Sequence, residues 1–203
     1  MKNAIKGAEE VLDFWFGELD EEGRTEPEVS KRWFQKSDAF DEEIRSRFEG
    51  RYEEIAAGDH REWLRSPRGR LAYVIVLDQF SRNMFRDTPK MYALDERALQ
   101  VALEGIEVGE DQELAFAERP FLYMALMHSE SLKIQERCVE LFEGFRDELQ
   151  GEKREKIEYN LQYAIAHLEI VARFGRFPHR NEILGRESTP EELAFLKEPG
   201  SSF

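Results

Sequence analysis

The run from Ser66 to Phe85, SPRGRLAYVIVLDQFSRNMF, constrains this chain more than any other. Ser66-Pro67 is a helix start, a capping hydroxyl followed by proline at the first helical position. Leu71, Val74, Ile75 and Phe85 then share one side of the helix, while Tyr73, Val76, Leu77 and Phe80 cover most of the remaining circumference. A helix that is apolar nearly all round must be enclosed by other elements. Asp78 and Arg82 stand on the core side, one helical turn apart and able to pair; Gln79 and Asn83 repeat that spacing about 90° round. Such a pair reads either as a buried ion pair that fixes packing or as a polar pocket floor, with Asp78 orienting Arg82 towards a ligand.

What can enclose this helix is itself helical. Residues 4–16 form a first helix ending in Phe14-Trp15-Phe16, with Gly17 as its stop. Residues 18–28, with Gly23 and Pro27, read as an exposed loop before a short helix bearing Trp33 and Phe34. Ser37 caps a helix with Phe40, Ile44, Phe48, Tyr52 and Ile55 at three- and four-residue spacing, closed by Gly58. Thr88-Pro89 restarts the chain into a helix over 89–105, ended by Gly105 and Gly109. Pro120 opens another, on which His128 shares a side with Phe121, Met124, Ala125 and Leu132. Amphipathic helices over 131–149 and 152–174 follow, and Thr189-Pro190-Glu191-Glu192 is a capping box that starts a last short helix. No strand-like alternation interrupts this pattern, so the chain is all-α, and 203 residues suffice for one helical domain spanning 1–203.

The most chemically loaded stretch is Tyr163 to Arg186, YAIAHLEIVARFGRFPHRNEILGR. Leu161, Ala164, Ile165, Leu168, Val171 and Ala172 form one apolar stripe; Tyr163, Ile170 and Phe174 form a second sector with His167 inside it. Gly175 is a left-handed stop, and Phe177-Pro178 turns the chain away. Arg173 and Arg176 suit a helix C-terminus, but helix-end electrostatics do not account for His179, Arg180 and Asn181 as well. Polar residues on a loop held by a rigid scaffold often carry function.

Charge sharpens the picture. The chain carries −14 overall, which disfavours nucleic acid and anionic membrane as partners. Yet residues 65–90 carry six Lys/Arg against Asp78 and Asp87, and 161–186 carry four Arg against Glu169 and Glu182. Positive charge is concentrated in two places, which either form an anion pocket or each neutralise acidic neighbours. The longest apolar run, Leu71 to Leu77, is far too short for a membrane span. The first acids, Glu9 and Glu10, precede any apolar run, so no signal peptide is expected and the cytoplasm is the default location. Cys138, the single cysteine, excludes an internal disulfide and a cysteine-rich metal site.

The blocks VLDFWFG (11–17), RWF with a following FD (32–41), LDQFSRNMFR (77–86), YMALMHSES (123–131) and HLEIVARFGRFPHRNEILGRESTPEE (167–192) resemble the proteins grouped as domain of unknown function 924. The resemblance covers nearly the whole chain. It implies a tetratricopeptide-like array of antiparallel helix pairs, about eight to ten helices here, although no internal repeat of that length is visible. It implies no established activity, substrate or cofactor. Ser81 stands where the family usually has proline, Ser131 where aspartate is common, and Glu169 where aspartate is usual.

Several chemistries remain open. His128, His167, His179, Asp78, Glu130 and Glu169 are enough for a metal centre, but no Glu-x-x-His or His-Glu-x-x-His spacing is present, so none is expected, nor any cofactor. Cys138 lies mid-helix without a histidine nearby in sequence, and phosphate-binding glycine motifs are absent. The preferred expectation is a binding module for a small anionic molecule or an acidic peptide. Its pocket would join Asp78, Gln79, Arg82, Asn83 and Arg86 to His128, His167, Arg173, Arg176, His179, Arg180 and Asn181, since guanidinium groups in that number suit carboxylate or phosphate. The alternatives are a hydrolase or lyase using His128 or His167 as general base, and a purely structural polar set. Catalytic residues are not assignable from the sequence, and a homodimer is compatible with it.

Overall fold

The structure, a computed structural model, describes residues 2–201, with side chains in the first helix described from residue 7 onward. No strand occurs among the described residues; there is one isolated antiparallel bridge, Leu19 to Thr25. The chain is all-α. Its helices gather into two compact units, one formed by the chain up to Arg86 with Lys90–Ala125, the other by Asp87–Pro89 with the chain from Leu126 onward.

The first unit holds α1 (Lys2–Phe16), α2 (Pro27–Lys31), α3 (Asp38–Ala57), α4 (Pro67–Val74), α5 (Ser81–Met84), α6 (Asp95–Glu107) and most of α7 (Arg119–Met127). Aromatic side chains fill its core. The Phe14 ring lies 5.0 Å from Phe48 and 5.8 Å from Phe80, and Trp15 lies 5.5 Å from Phe80 and 5.7 Å from Phe121. These tilted and edge-on pairs add to the area they bury. Phe40, Ile44, Phe48, Tyr52 and Ile55 of α3 are all buried, as their spacing predicts. Ser37 caps α3, its hydroxyl accepting from the Phe40 N–H, and Ser66 caps α4 in the same way from Gly69.

The helix from Pro67 is enclosed as expected, with Leu71 to Leu77 and Phe80 fully buried. It is not uniform. Between α4 and α5, Ile75–Phe80 widen into a π-helical turn that carries Asp78 and Gln79. Such wide turns are often found at functional sites.

Three boundaries differ from expectation. Pro27 opens α2 rather than ending a loop, and Trp33 and Phe34 follow that helix instead of riding on it. Trp33 is anchored because its Nε1–H donates to the Trp15 carbonyl at 2.8 Å, whereas Phe34 is exposed. The segment from Pro89 is a 3-10 turn to Tyr92, and α6 begins only at Asp95. Gly105 lies inside α6, not at its end. The reason is a passing side chain: a Cβ at Gly105 would sit 2.4 Å from Cδ of Arg70. Arg70 crosses there to donate to Glu110, the Val101 carbonyl and the Leu64 carbonyl.

The second unit is built on α8 (Leu132–Asp147) and α9 (Gly151–Phe174), which pack against each other, and ends in α10 (Pro190–Phe195). Gly175 stops α9 with φ 69°, its N–H donating to the Val171 carbonyl at 2.8 Å. The Thr189/Glu192 capping box is present. Ile170, Val171, Phe177 and Phe195 form a core with Phe174 against it. The buried face of α9 runs through Ile157, Leu161, Ala164, His167, Ile170 and Val171. Tyr163, expected on an apolar sector, is exposed, with its hydroxyl 3.0 Å from that of Tyr159.

Candidate functional site

Asp78, Gln79, Arg82, Asn83 and Arg86 belong to the first unit, where the π-turn and α5 divide them into two networks. In one, Arg82 lies 3.0 Å from Asp78 Oδ1 and donates to the Asp78 carbonyl at 2.8 Å. Both of its Nη atoms also grip Asp95 at 2.9 and 2.8 Å. Burial opposes the Arg82 charge, but the two aspartates outweigh it and raise its pKa further. Gln79 donates to Asp78 Oδ2 at 2.6 Å and approaches the Met124 sulfur. In the other network Asp41 of α3 accepts two bonds from Arg86, at 2.7 and 2.9 Å, and one from Asn83 at 2.7 Å. Burial pushes the Asp41 carboxyl up, yet those donors hold it below the usual range.

His128, His167, Arg173, Arg176, His179, Arg180 and Asn181 belong to the second unit. His128 is not on a helix face: α7 ends at Met127. The turn beyond is held by Gln135 of α8, whose amide donates to the Met127 and Ser129 carbonyls at 2.6 Å each. Past the turn, Glu130 ties this segment to the loop after α9. It accepts two bonds from Arg186, at 2.7 and 2.9 Å, and one from the Phe177 N–H at 2.8 Å. Burial raises its carboxyl, and these donors bring it below the usual range.

The loop after α9 is clasped by acids. Arg176 forks onto Glu192 at 2.6 and 2.8 Å. Asn181 donates to Ser188 and Glu192 and accepts from Arg186. Glu192 is held at about 2, chiefly by the Arg176 bonds. Arg173 makes only an exposed pair with Glu191 at 3.0 Å while stacking on Phe174.

The remaining four residues gather about one ring. Phe177 lies 5.5 Å from His167 and 5.7 Å from His179, with the Arg180 guanidinium 4.5 Å from its centroid; His128 is 6.3 Å from His167. His167 is buried, and its Nδ1 lies 2.7 Å from the Tyr163 carbonyl, so that nitrogen carries the hydrogen. Burial first, then His128, Arg180 and His179, lower the His167 pKa to about 3. Burial and then Arg180 lower His179 to about 4, against the opposing pull of Glu130. Both imidazoles are neutral at physiological pH, and the cations around them keep them so.

Cys138 is fully buried, and burial pushes its thiol far above the usual range, which suits packing rather than nucleophilic attack. Among the described residues no three His, Cys, Asp or Glu side chains converge as a metal site. Among the described residues no helix is long and apolar enough to cross a membrane.

Residues 11–200 match the family described as "Bacterial protein of unknown function (DUF924)". The chain belongs to that family. A solved structure titled as a protein of unknown function, ATU0120 from Agrobacterium tumefaciens, superposes with a TM-score of 0.81 at 36% identity. That match covers 96% of this chain and 98% of the other. No curated protein matches the chain.

Sequence reasoning left Asp41, Asp95, Glu130, Phe177, Arg186 and Glu192 out of the site. Asp41, Glu130, Phe177, Arg186 and Glu192 all lie within the DUF924-like blocks; the acids meet arginines distant in sequence, which spacing could not reveal, whereas Phe177 stands two and three residues from His179 and Arg180. Asp95 had no signal beyond its place in the first turn of a helix.

Proposed function

We propose that this DUF924 protein is a binding module that takes a small anionic molecule or an acidic peptide tail at the His128/His167/His179/Arg180 corner of the second unit. The observation that supports it most is the gathering of Arg180, His167 and His179 about the Phe177 ring. Arg180 and Arg186 both act on this group, while Glu130 answers them and is already doubly bonded to Arg186. Guanidinium groups beside neutral imidazoles suit an entering carboxylate or phosphate. Asp78, Gln79, Arg82, Asn83 and Arg86 enter this reading as framework, because Asp78, Asp95 and Asp41 already accept from Gln79, Arg82, Asn83 and Arg86. Arg173, Arg176 and Asn181 position the loop through Glu191 and Glu192. A general base at His167 is less favoured: a group held near 3 is a poor proton acceptor at neutral pH.

Thermal shift and calorimetry against phosphate, citrate and a peptide ending in aspartates test this. Saturable stabilisation by at least one of the three is expected, as is its loss in Arg180→Gln and its weakening in His179→Gln. Unchanged stabilisation in both variants, or none in the parent chain, would rule the site out.

A further inference from the structure

A second site stands in the first unit, sharing no residue with the histidine corner. A cavity of about 580 Å³ opens between α1 and α3, a size that suits a small molecule. Phe14 lines it, and two guanidiniums stack on that ring: Arg47 at 4.6 Å and Arg32, just beyond α2, at 6.0 Å. The other lining residues are Glu9, Glu10, Asp13 and Glu43.

Arg32 differs from the better-buried arginines of this protein. Arg70, Arg82, Arg86, Arg119, Arg176 and Arg186 each lie within 4.0 Å of a carboxylate. Among the described residues no carboxylate reaches Arg32. Its Nε is shielded from solvent with no acceptor, and its one hydrogen bond, from Nη2 to the Phe14 carbonyl, is stretched to 3.5 Å. The guanidinium is held in place by the Phe40 ring, 5.0 Å away, rather than by an anion. Its Nη1 makes no hydrogen bond among the described residues, and an anion entering the cavity can take that donor.

The acids pair off unevenly. Glu9 lies 3.0 Å from Arg68, and Glu43 takes Arg47 at 3.5 Å. Glu10 reaches Arg47 only at 4.0 Å, and among the described residues nothing engages the exposed Asp13 carboxylate. What remains is one guanidinium wanting an anion, and two carboxylates able to take cations. A purely anionic ligand would be repelled by those acids, and a simple amine would leave Arg32 unanswered. We propose that this cavity binds a basic amino acid, its carboxylate on Arg32 and its ammonium groups on Glu10 and Asp13. Guanidinium–carboxylate contact sets the orientation.

Calorimetry of the full chain with L-lysine, cadaverine and L-glutamate tests it. Saturable binding of L-lysine is expected, with cadaverine and L-glutamate at least about tenfold weaker. Arg32→Gln should weaken L-lysine by about tenfold or more while leaving cadaverine unchanged, and Asp13→Asn should weaken both. Because Asp13 is exposed, its variant keeps the test decisive if Arg32→Gln misfolds. If Arg32 serves only as a cation at the C-terminus of α1, Arg32→Gln lowers the melting temperature and alters no affinity. That outcome, or no saturable heat with L-lysine up to about 10 mM, overturns the site.

Discussion

The two arginine-rich parts of this chain solve the burial of charge differently. Around the π-turn each cation is matched: Arg82 lies between Asp78 and Asp95, and Arg86 forks onto Asp41 with Asn83 beside it. Around Phe177 rings take a larger part: Glu130 holds Arg186, while the Arg180 guanidinium lies over an aromatic ring among histidines. Matched networks fix packing, because a buried pair is most valuable against its own disruption. The same residue types thus stand in different surroundings, and the difference lies in which groups the fold brings to them.

The largest effect is expected at the matched end. Arg82→Ala leaves Asp78 and Asp95 facing each other with little exposure and should cost about 3–5 kcal/mol in urea unfolding. A loss under about 1 kcal/mol would mean that the π-turn network is not the tie described here. At the histidine corner pH is the better probe. The His167 and His179 pKa values are depressed to about 3 and 4, so the unfolded chain binds more protons below an unfolded value near 6.5. Their contribution to stability is full above about pH 6.5 and is lost as pH falls towards 3, by about 1.4 kcal/mol per unit for each histidine. His167→Gln should flatten that slope between about pH 6.5 and 4, and an unaltered slope would show that burial there is incomplete.

Two smaller changes sharpen the comparison. Thr189→Ala removes the hydroxyl half of the capping box and should cost about 1 kcal/mol, testing whether the clasp around Glu192 depends on α10. Arg173→Ala breaks only an exposed pair with Glu191, so its effect on stability should stay below about 1 kcal/mol. If it exceeds that, stacking of Arg173 on Phe174 and Phe195 is the stronger contact.

Much of the fold was legible because its signals are local. Ser37, Ser66 and Thr189 announce helix starts through hydroxyls that meet N–H groups three residues on, and Gly175 announces a stop through a conformation other residues avoid. The enclosed run from Leu71 showed that other helices must surround it. Where prediction slipped, the cause was a distant neighbour. Gly105 looked like a terminator, and only the passage of Arg70 explains it as a residue inside α6. His128 looked like part of a helix face, and Gln135, capturing the carbonyls beyond Met127, holds the turn that follows.

By itself the sequence determined the all-α class, most helix ends and the residue types available for chemistry, because capping and periodicity act within a few residues of the chain. Tertiary structure alone decided which of those residues hold one another. Asp41 meets Arg86 and Glu130 meets Arg186 across more than forty intervening positions. The strength of a buried charge contact depends on distance and burial in space, and neither is written in the order of residues.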